Sequence, residues 1–249
     1  MKRILVYVFL SFFFLVAGVS ADTLNEIVPS FSIVDSGGDL NSELAQPVKI
    51  FILLTALSLL PSLLVLMTSF TRIIIILSML RQAIGLQNTP PNFVLISLAL
   101  ILTYFSMLPV IDNIDSSAIK PYQAGEISDT RALEESENII KAFMLKNTNE
   151  DDLLMMYELS EKEIVDNTDL IPLPVLVPAF LISELQLAFQ IGFFIFLPFL
   201  LVDLVVASVL MSIGMIMVPP MTISLPIKVL LFVLIDGWSL LIYSLMSSY

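Results

Sequence analysis

The 249-residue chain is 57% hydrophobic with a mean hydropathy of +0.96, far above the roughly 45–50% apolar content of soluble domains. This excludes an ordinary water-soluble protein. The 11 basic residues are scattered and are outnumbered by 23 acidic ones, which excludes a basic surface for nucleic acid. The chain has no Cys and no His, so it lacks thiol nucleophiles, imidazole bases and the commonest nitrogen metal ligand. Most catalytic arrangements are thereby excluded, and we expect neither a metal nor a cofactor.

The first residues are typical of a secretory signal peptide. Lys2 and Arg3 precede the uncharged run Ile4–Val16, and small residues follow as far as Ala21. We predict that residues 1–21 are removed from the mature protein. The alternative is an uncleaved anchor, although the run is shorter than the about 20 residues that a membrane span needs.

An acidic lead-in and two apolar runs come next. Residues 22–47 carry five acids and no base, which indicates a flexible extracytoplasmic segment. Residues 48–110 contain Ile50–Met67 and Phe93–Val110, each of 18 residues without a charge. At about 1.5 Å per residue each run nearly crosses a ~30 Å hydrocarbon core. We predict a first pair of hydrophobic helices.

Two arginines follow the first apolar run. Arg72 and Arg81 are expected to mark the turn between the two helices, which the positive-inside bias places in the cytoplasm. The second helix is expected to begin at Pro90–Asn92, because proline is tolerated in a first helical turn.

Residues 111–171 are strongly acidic, with 15 acids and five bases. A helix is predicted to begin with Asp129 or Thr130 as its cap and to carry a Glu137–Lys141 pair at i,i+4 spacing. We interpret the segment as a small helical extracytoplasmic domain. The alternative is a disordered acidic loop, since apolar residues are sparse.

Residues 172–249 are apolar but are interrupted by prolines, which remove a backbone hydrogen bond and kink a helix. The sequence predicts two further arms, residues 179–214 and 221–246, with irregular backbone between them. The chain as a whole is then an all-α integral membrane protein with about four proline-broken hydrophobic arms. The prolines are Pro172, Pro174, Pro178, Pro198, Pro219, Pro220 and Pro226.

Four ionisable residues lie in this last apolar region: Glu184, Asp203, Lys228 and Asp236. A charge facing lipid costs at least about 2.5 kcal/mol, so each is expected to face protein or water. Burial is favoured for Asp203, and folding of the two arms is expected to pair it with Lys228. For Asp236 a helix end at the headgroups is as well supported as a position facing protein or water, because Gly237 and Trp238 follow it.

Methionines surround Pro219 and Pro220: Met211, Met215, Met217 and Met221. A flexible apolar side chain could seal a pore that later widens around a passenger. The alternative is that they are ordinary core residues.

Several segments resemble the FliP-type export-gate family of flagella and injectisomes. They are Pro178–Phe193, Pro198–Asp203, Gly214–Pro220, Leu225–Lys228 and Asp236–Trp238, with Thr68–Arg72, Arg81 and Gln87–Asn92 in the first half. The resemblance extends over residues 48–110 and 172–246. The family commonly has three methionines where this chain has Met215-Ile216-Met217.

The resemblance implies a protein without catalytic activity. Family members form homo-oligomers that assemble with FliQ-type and FliR-type subunits into a narrow gate for unfolded export substrates. It further implies a site in the bacterial inner membrane at the flagellar basal body, with the apolar helices lifted partly out of the bilayer. The signal peptide and acidic lead-in favour the flagellar branch. The implied constriction comprises Met211, Met215, Ile216, Met217 and Met221.

Two other classes of protein fit the sequence less well. A small secondary transporter could relay protons through Glu184, Asp203 and Lys228, but residues 48–110 and 172–249 show no duplication of the kind common in transporters. An intramembrane hydrolase needs a nucleophile and a base, whereas the chain lacks both His and a Gly-x-Ser-x-Gly turn.

Overall fold

The computed structural model describes residues 54, 65–86, 88–161, 171–215 and 217–249. The described chain is helical, as predicted, and the helices below belong to one compact unit, residues 64–249. They are α1 (Phe70–Ile84), α2 (Asn92–Ile114), a π-helix (Asp115–Ile119), α3 (Lys120–Gln123), α4 (Asp129–Lys146), α5 (Glu150–Leu159), α6 (Leu173–Ser212), α7 (Pro220–Leu234) and α8 (Gly237–Met246). The predicted signal peptide, the acidic lead-in and nearly all of the first apolar run lie outside the described residues.

Helix α1 corrects the expected position of the arginines. Arg72 and Arg81 both lie within α1, which ends at Gly85 in the left-handed conformation, φ 92°. Glycine suits this position because it has no Cβ to clash there. The turn to α2 therefore starts at Gly85. Arg72 is buried within a helix, so it cannot be counted as a loop charge in the positive-inside argument.

Helix α2 runs on through the π-helix and α3 without a break, over Asn92–Gln123. A π turn adds one residue to the regular α repeat. Val110 and Ala118 are both buried and lie eight positions apart. Two regular α turns take about seven residues, so the π turn accounts for the extra one. The insertion thus keeps the buried face turned inward, and Ala118 lies where the π-helix contacts α4. The helix is longer than the predicted run, which stopped at Val110.

Helix α6 is continuous over 40 residues and has Pro178 and Pro198 inside it. The expectation that proline would end or break this arm near residue 179 was wrong. A proline inside a helix loses one backbone bond, and neighbouring helices or local adjustments can compensate for the freed group in membrane helices. Pro174 lies in the first turn, where the missing N–H has no helical partner in any case.

Beyond α6, the described residues 213–215 and 217–219 form the expected irregular connection. Helix α7 then begins at Pro220 and bends 62° into α8 at Asp236. Among the described residues two helices, Asn92–Gln123 and Leu173–Ser212, are long and apolar enough to cross a membrane. The bent α7–α8 pair adds a third if it counts as one span. Three of the four predicted arms fall in the described part of the chain, which holds these two to three candidate spans, and the first predicted arm lies almost wholly outside it.

Two apolar cores organise the helices. The larger joins α1, α2, α6, α7 and α8 around side chains such as Ile76, Leu95 and Phe232. The smaller contains Met144 of α4, Tyr157 of α5 and the start of α6 from Val175 to Phe180. The helices of the acidic segment therefore pack directly on the apolar helix α6.

The helix cap and the ion pair predicted for the acidic segment agree closely with the structure. Ser128 caps α4, its Oγ accepting a hydrogen bond from the Arg131 N–H at 3.4 Å, so the cap lies one residue before the predicted Asp129. Lys141 and Glu137 form the predicted i,i+4 ion pair at 2.8 Å. The placement of this segment outside the cytoplasm remains a prediction.

Candidate gate site and buried charges

Glu184 lies on α6 and is completely buried, and its partner is Arg72 of α1. Arg72 Nε donates to Glu184 Oε2 at 2.8 Å, and Arg72 Nη2 donates to Oε1. This two-point contact matches the planar guanidinium to the carboxylate. The pair places no net charge in the apolar core.

Tyr249 closes one side of this pair. Its hydroxyl lies 3.1 Å from Glu184 Oε2 and its ring centroid lies 4.0 Å from Arg72 Cζ. Burial, and then the negative charge of Glu184, raises the pKa of the Tyr249 hydroxyl above its ordinary range. The hydroxyl therefore stays protonated and can donate to the carboxylate.

The sequence prediction missed Arg72 as the partner of Glu184. Each of the two residues is an isolated charge within an apolar stretch, and the two have opposite signs. Because a lone charge in such a stretch needs a partner, this combination is the signal that could have found the pair.

Asp203 and Lys228 are brought together across α6 and α7, as hairpin folding predicted. Lys228 Nζ donates to Asp203 Oδ2 at 2.6 Å and to the backbone oxygen of Ala83 at 3.3 Å. Ala83 is in the last turn of α1, where a cation is favourable. Lys228 is buried but the Asp203 side chain is 37% exposed, which corrects the expectation that Asp203 is buried. Asp203 is exposed because it lies in the second half of α6, where the neighbouring side chains Leu201 and Leu204 are exposed as well.

Asp236 lies exposed at the bend between α7 and α8. Its backbone is in the left-handed region, φ 52°, which aspartate tolerates better than most residues. A position at a helix end was one of the two predicted places for it. The next residue, Gly237, is tightly enclosed, because a Cβ there would lie 2.2 Å from the Phe232 ring.

The methionines lie at the connection between α6 and α7. Met217 is 97% exposed, Met211 is 65% exposed, and Met215 and Met221 are also exposed. Ile216 lies outside the described residues. The alternative that these four methionines belong to the core of this chain is therefore wrong.

A continuous apolar face leads to this connection. Nine large side chains in the second half of α6 are exposed: Phe193, Phe194, Leu197, Leu200, Leu201, Leu204, Val205, Val209 and Met211. Leu230, Val233 and Leu234 of α7 are exposed too. Contiguous exposed apolar surface of this kind marks contact with protein or with a membrane.

Fold and surface together define a class: an all-helical membrane protein whose apolar helices are fixed to one another by two ion pairs, one of them wholly buried. Comparison with known proteins narrows the class to one family. The model of the FliP family matches residues 53–245. The chain belongs to the FliP family.

Relatives from distant bacteria are similar over most of their length. The flagellar biosynthetic protein FliP of Bacillus subtilis (strain 168) is 47% identical over 226 residues, which cover 91% of this chain and 100% of the relative. The FliP of Pectobacterium carotovorum subsp. carotovorum is 51% identical over 202 residues, 81% and 78% of the two chains. The FliP of Aquifex aeolicus (strain VF5) is 50% identical over 208 residues, 83% and 87%.

Proposed function

We propose that the chain is a subunit of the flagellar protein export gate. In this proposal several copies assemble with FliQ-type and FliR-type subunits into a channel for unfolded export substrates, in the bacterial inner membrane at the flagellar basal body. Membership of the FliP family supports it, since the relatives are named flagellar biosynthetic proteins. The subunit acts by forming a passage and not by catalysis.

The proposal that several copies assemble rests on the length of α6. Its 40 residues extend about 60 Å at 1.5 Å per residue, against a hydrocarbon core of ~30 Å. To fit inside that core the helix would need a tilt of about 60°, beyond the 0–40° of known membrane helices. Part of α6 must therefore lie outside the hydrocarbon.

The surface of α6 then requires a protein partner. Exposed apolar side chains run from Leu185 to Met211 with few interruptions. Where the helix leaves the lipid, water would otherwise meet this face, at a cost of about 25 cal/mol per Å². A neighbouring copy of the chain, presenting the same face beside its own α7, is the occupant we assign to it.

The constriction is assigned to the connection between α6 and α7. A ring of copies would bring several Met215-Ile216-Met217 segments around one axis, with the 97% exposed side chains of Met217 free to meet one another. Apolar side chains at a narrow point exclude water and ions, and a thioether chain can move aside for a passenger at low cost.

Detergent extraction followed by mass measurement tests the assembly. The wild type, co-expressed with its FliQ-type and FliR-type partners, is expected to give a large ring. Leu200→Glu, in the middle of the exposed face, should leave folded monomer, because a charge in an apolar contact lacks a partner. Leu133→Glu on α4 is the matched control, since Leu133 is also exposed. A ring that survives Leu200→Glu contradicts the assigned face, and a wild-type monomer that takes up solute in vesicles favours the transporter.

A further inference from the structure

The last two residues of the chain make contacts with three separate helices. The Tyr249 ring stacks on Phe143 of α4, with centroids 6.4 Å apart and an interplanar angle of 19°. The backbone oxygen of Tyr249 accepts a hydrogen bond from Lys146 Nζ at 2.5 Å. Its ring and hydroxyl contact Arg72 of α1 and Glu184 of α6. The tail is therefore held on α1, α4 and α6 at once.

Apart from this tail, helix α8 is held along one face and by the contact of Trp238 with Phe232. Leu241 and Leu245 face the larger core, whereas Leu240 and Tyr243 on the other side are exposed. At its beginning, the 62° bend at Asp236 separates α8 from α7. A short helix of ten residues that is anchored by one apolar stripe depends on the contacts at its ends.

We infer that Ser248 and Tyr249 form a latch that couples α8 to α4. Tyr249 lies between the cation of Arg72 and the ring of Phe143, and Ser248 Oγ lies 3.3 Å from Arg72 Nη1. A movement of α4 away from α6 removes the Phe143 and Lys146 contacts and so loosens α8. Conversely, release of α8 opens the Arg72–Glu184 pair to water. The latch is a property of the fold and stands apart from the proposed export role.

Hydrogen exchange in detergent measures the coupling helix by helix. Tyr249→Ala removes the ring contacts with Arg72 and Phe143, and exchange of the α8 amides is expected to rise about tenfold or more. Phe143→Ala, a change on α4 more than 90 residues earlier in the chain, is expected to raise exchange in α8 too. The matched controls are Tyr243→Ala on α8 and Leu133→Ala on α4, both exposed side chains, and neither should alter exchange in α8.

Two outcomes overturn the latch. One is unchanged α8 exchange in Phe143→Ala, which would show that α4 and α8 are independent. The other is an equal rise in α1, α2 and α8 in Tyr249→Ala, which would make Tyr249 an ordinary core residue. Should Tyr249→Ala yield no folded protein, Tyr249→Phe decides instead. It keeps the ring and loses only the hydroxyl contacts with Glu184 and Ser69, so α8 exchange must still rise about threefold to tenfold.

Discussion

The buried pair between Arg72 and Glu184 predicts a strongly non-additive pattern of stabilities. Both side chains are shielded from solvent and share two hydrogen bonds. Truncating one partner leaves the other charge buried without compensation, which costs about 3–5 kcal/mol. That is a large part of the roughly 5–15 kcal/mol stability of a typical domain. Arg72→Met and Glu184→Leu should each shift the folding equilibrium by about two to nearly four orders of magnitude.

The double variant is the informative one. Arg72→Met with Glu184→Leu replaces the pair by apolar groups of similar size, and such replacements are often neutral or stabilising. We therefore expect it to recover most of the stability that either single change removes. Recovery should be incomplete, because Tyr249 also loses its partners Arg72 and Glu184.

Unfolding in detergent can be followed through the single tryptophan of the chain, Trp238, which contacts Phe232 edge-on at 5.5 Å. Arg131→Met is the matched control, because Arg131 is exposed and lies 4.0 Å from Glu135. Exposed pairs contribute about 0–1 kcal/mol, so this change should have little effect. If the double variant is as unstable as the sum of the two single changes, the pair does not couple and the argument from burial is wrong.

Three further predictions concern other contacts. For the second ion pair, Asp203→Ala should destabilise more than Lys228→Met, because Lys228 is buried whereas Asp203 can turn to solvent; equal losses in thermal unfolding would contradict this asymmetry. Gly192→Ala should change stability by no more than about 1 kcal/mol, because a Cβ there meets only the flexible end of Met79, its Sδ at 2.2 Å, which can move aside; a larger loss in thermal unfolding would show that Met79 is held rigidly. At the proposed constriction, Met215→Ala with Met217→Ala should raise membrane conductance while some export persists; unchanged conductance would place the seal elsewhere.

The sequence predicted the helical class and one of the two ion pairs that join the apolar helices. Apolar runs and caps are local signals, which is why the beginning of α4 was found within one residue. Asp203 and Lys228 were paired because they flank a single turn, 25 residues apart. A hairpin brings such neighbours together whatever the rest of the fold does.

The long-range features were missed for a physical reason. Arg72 and Glu184 are 112 residues apart in the sequence. They do not flank a single turn, so the sequence gives no reason to expect them close together. Proline signals were misleading in α6, because the propensity of Pro178 and Pro198 to break a helix was outweighed by their surroundings. The packing of α4 and α5 on α6 was also not predicted, because a sparse apolar pattern does not indicate which surface its side chains will contact.

The two ion pairs together locate where the α6–α7 hairpin can deform. Glu184 fixes α6 to α1, and Asp203, 19 residues or about 28 Å further on, fixes it to α7. Beyond Asp203 and before Lys228, none of the described residues carries a charge, and most of the large side chains there are exposed. A segment with few buried contacts opens at low free energy, whereas the ion-paired part of the helices does not. We therefore expect movement to be confined to the end of the hairpin that carries the methionines, with the rest of α6 as its rigid support.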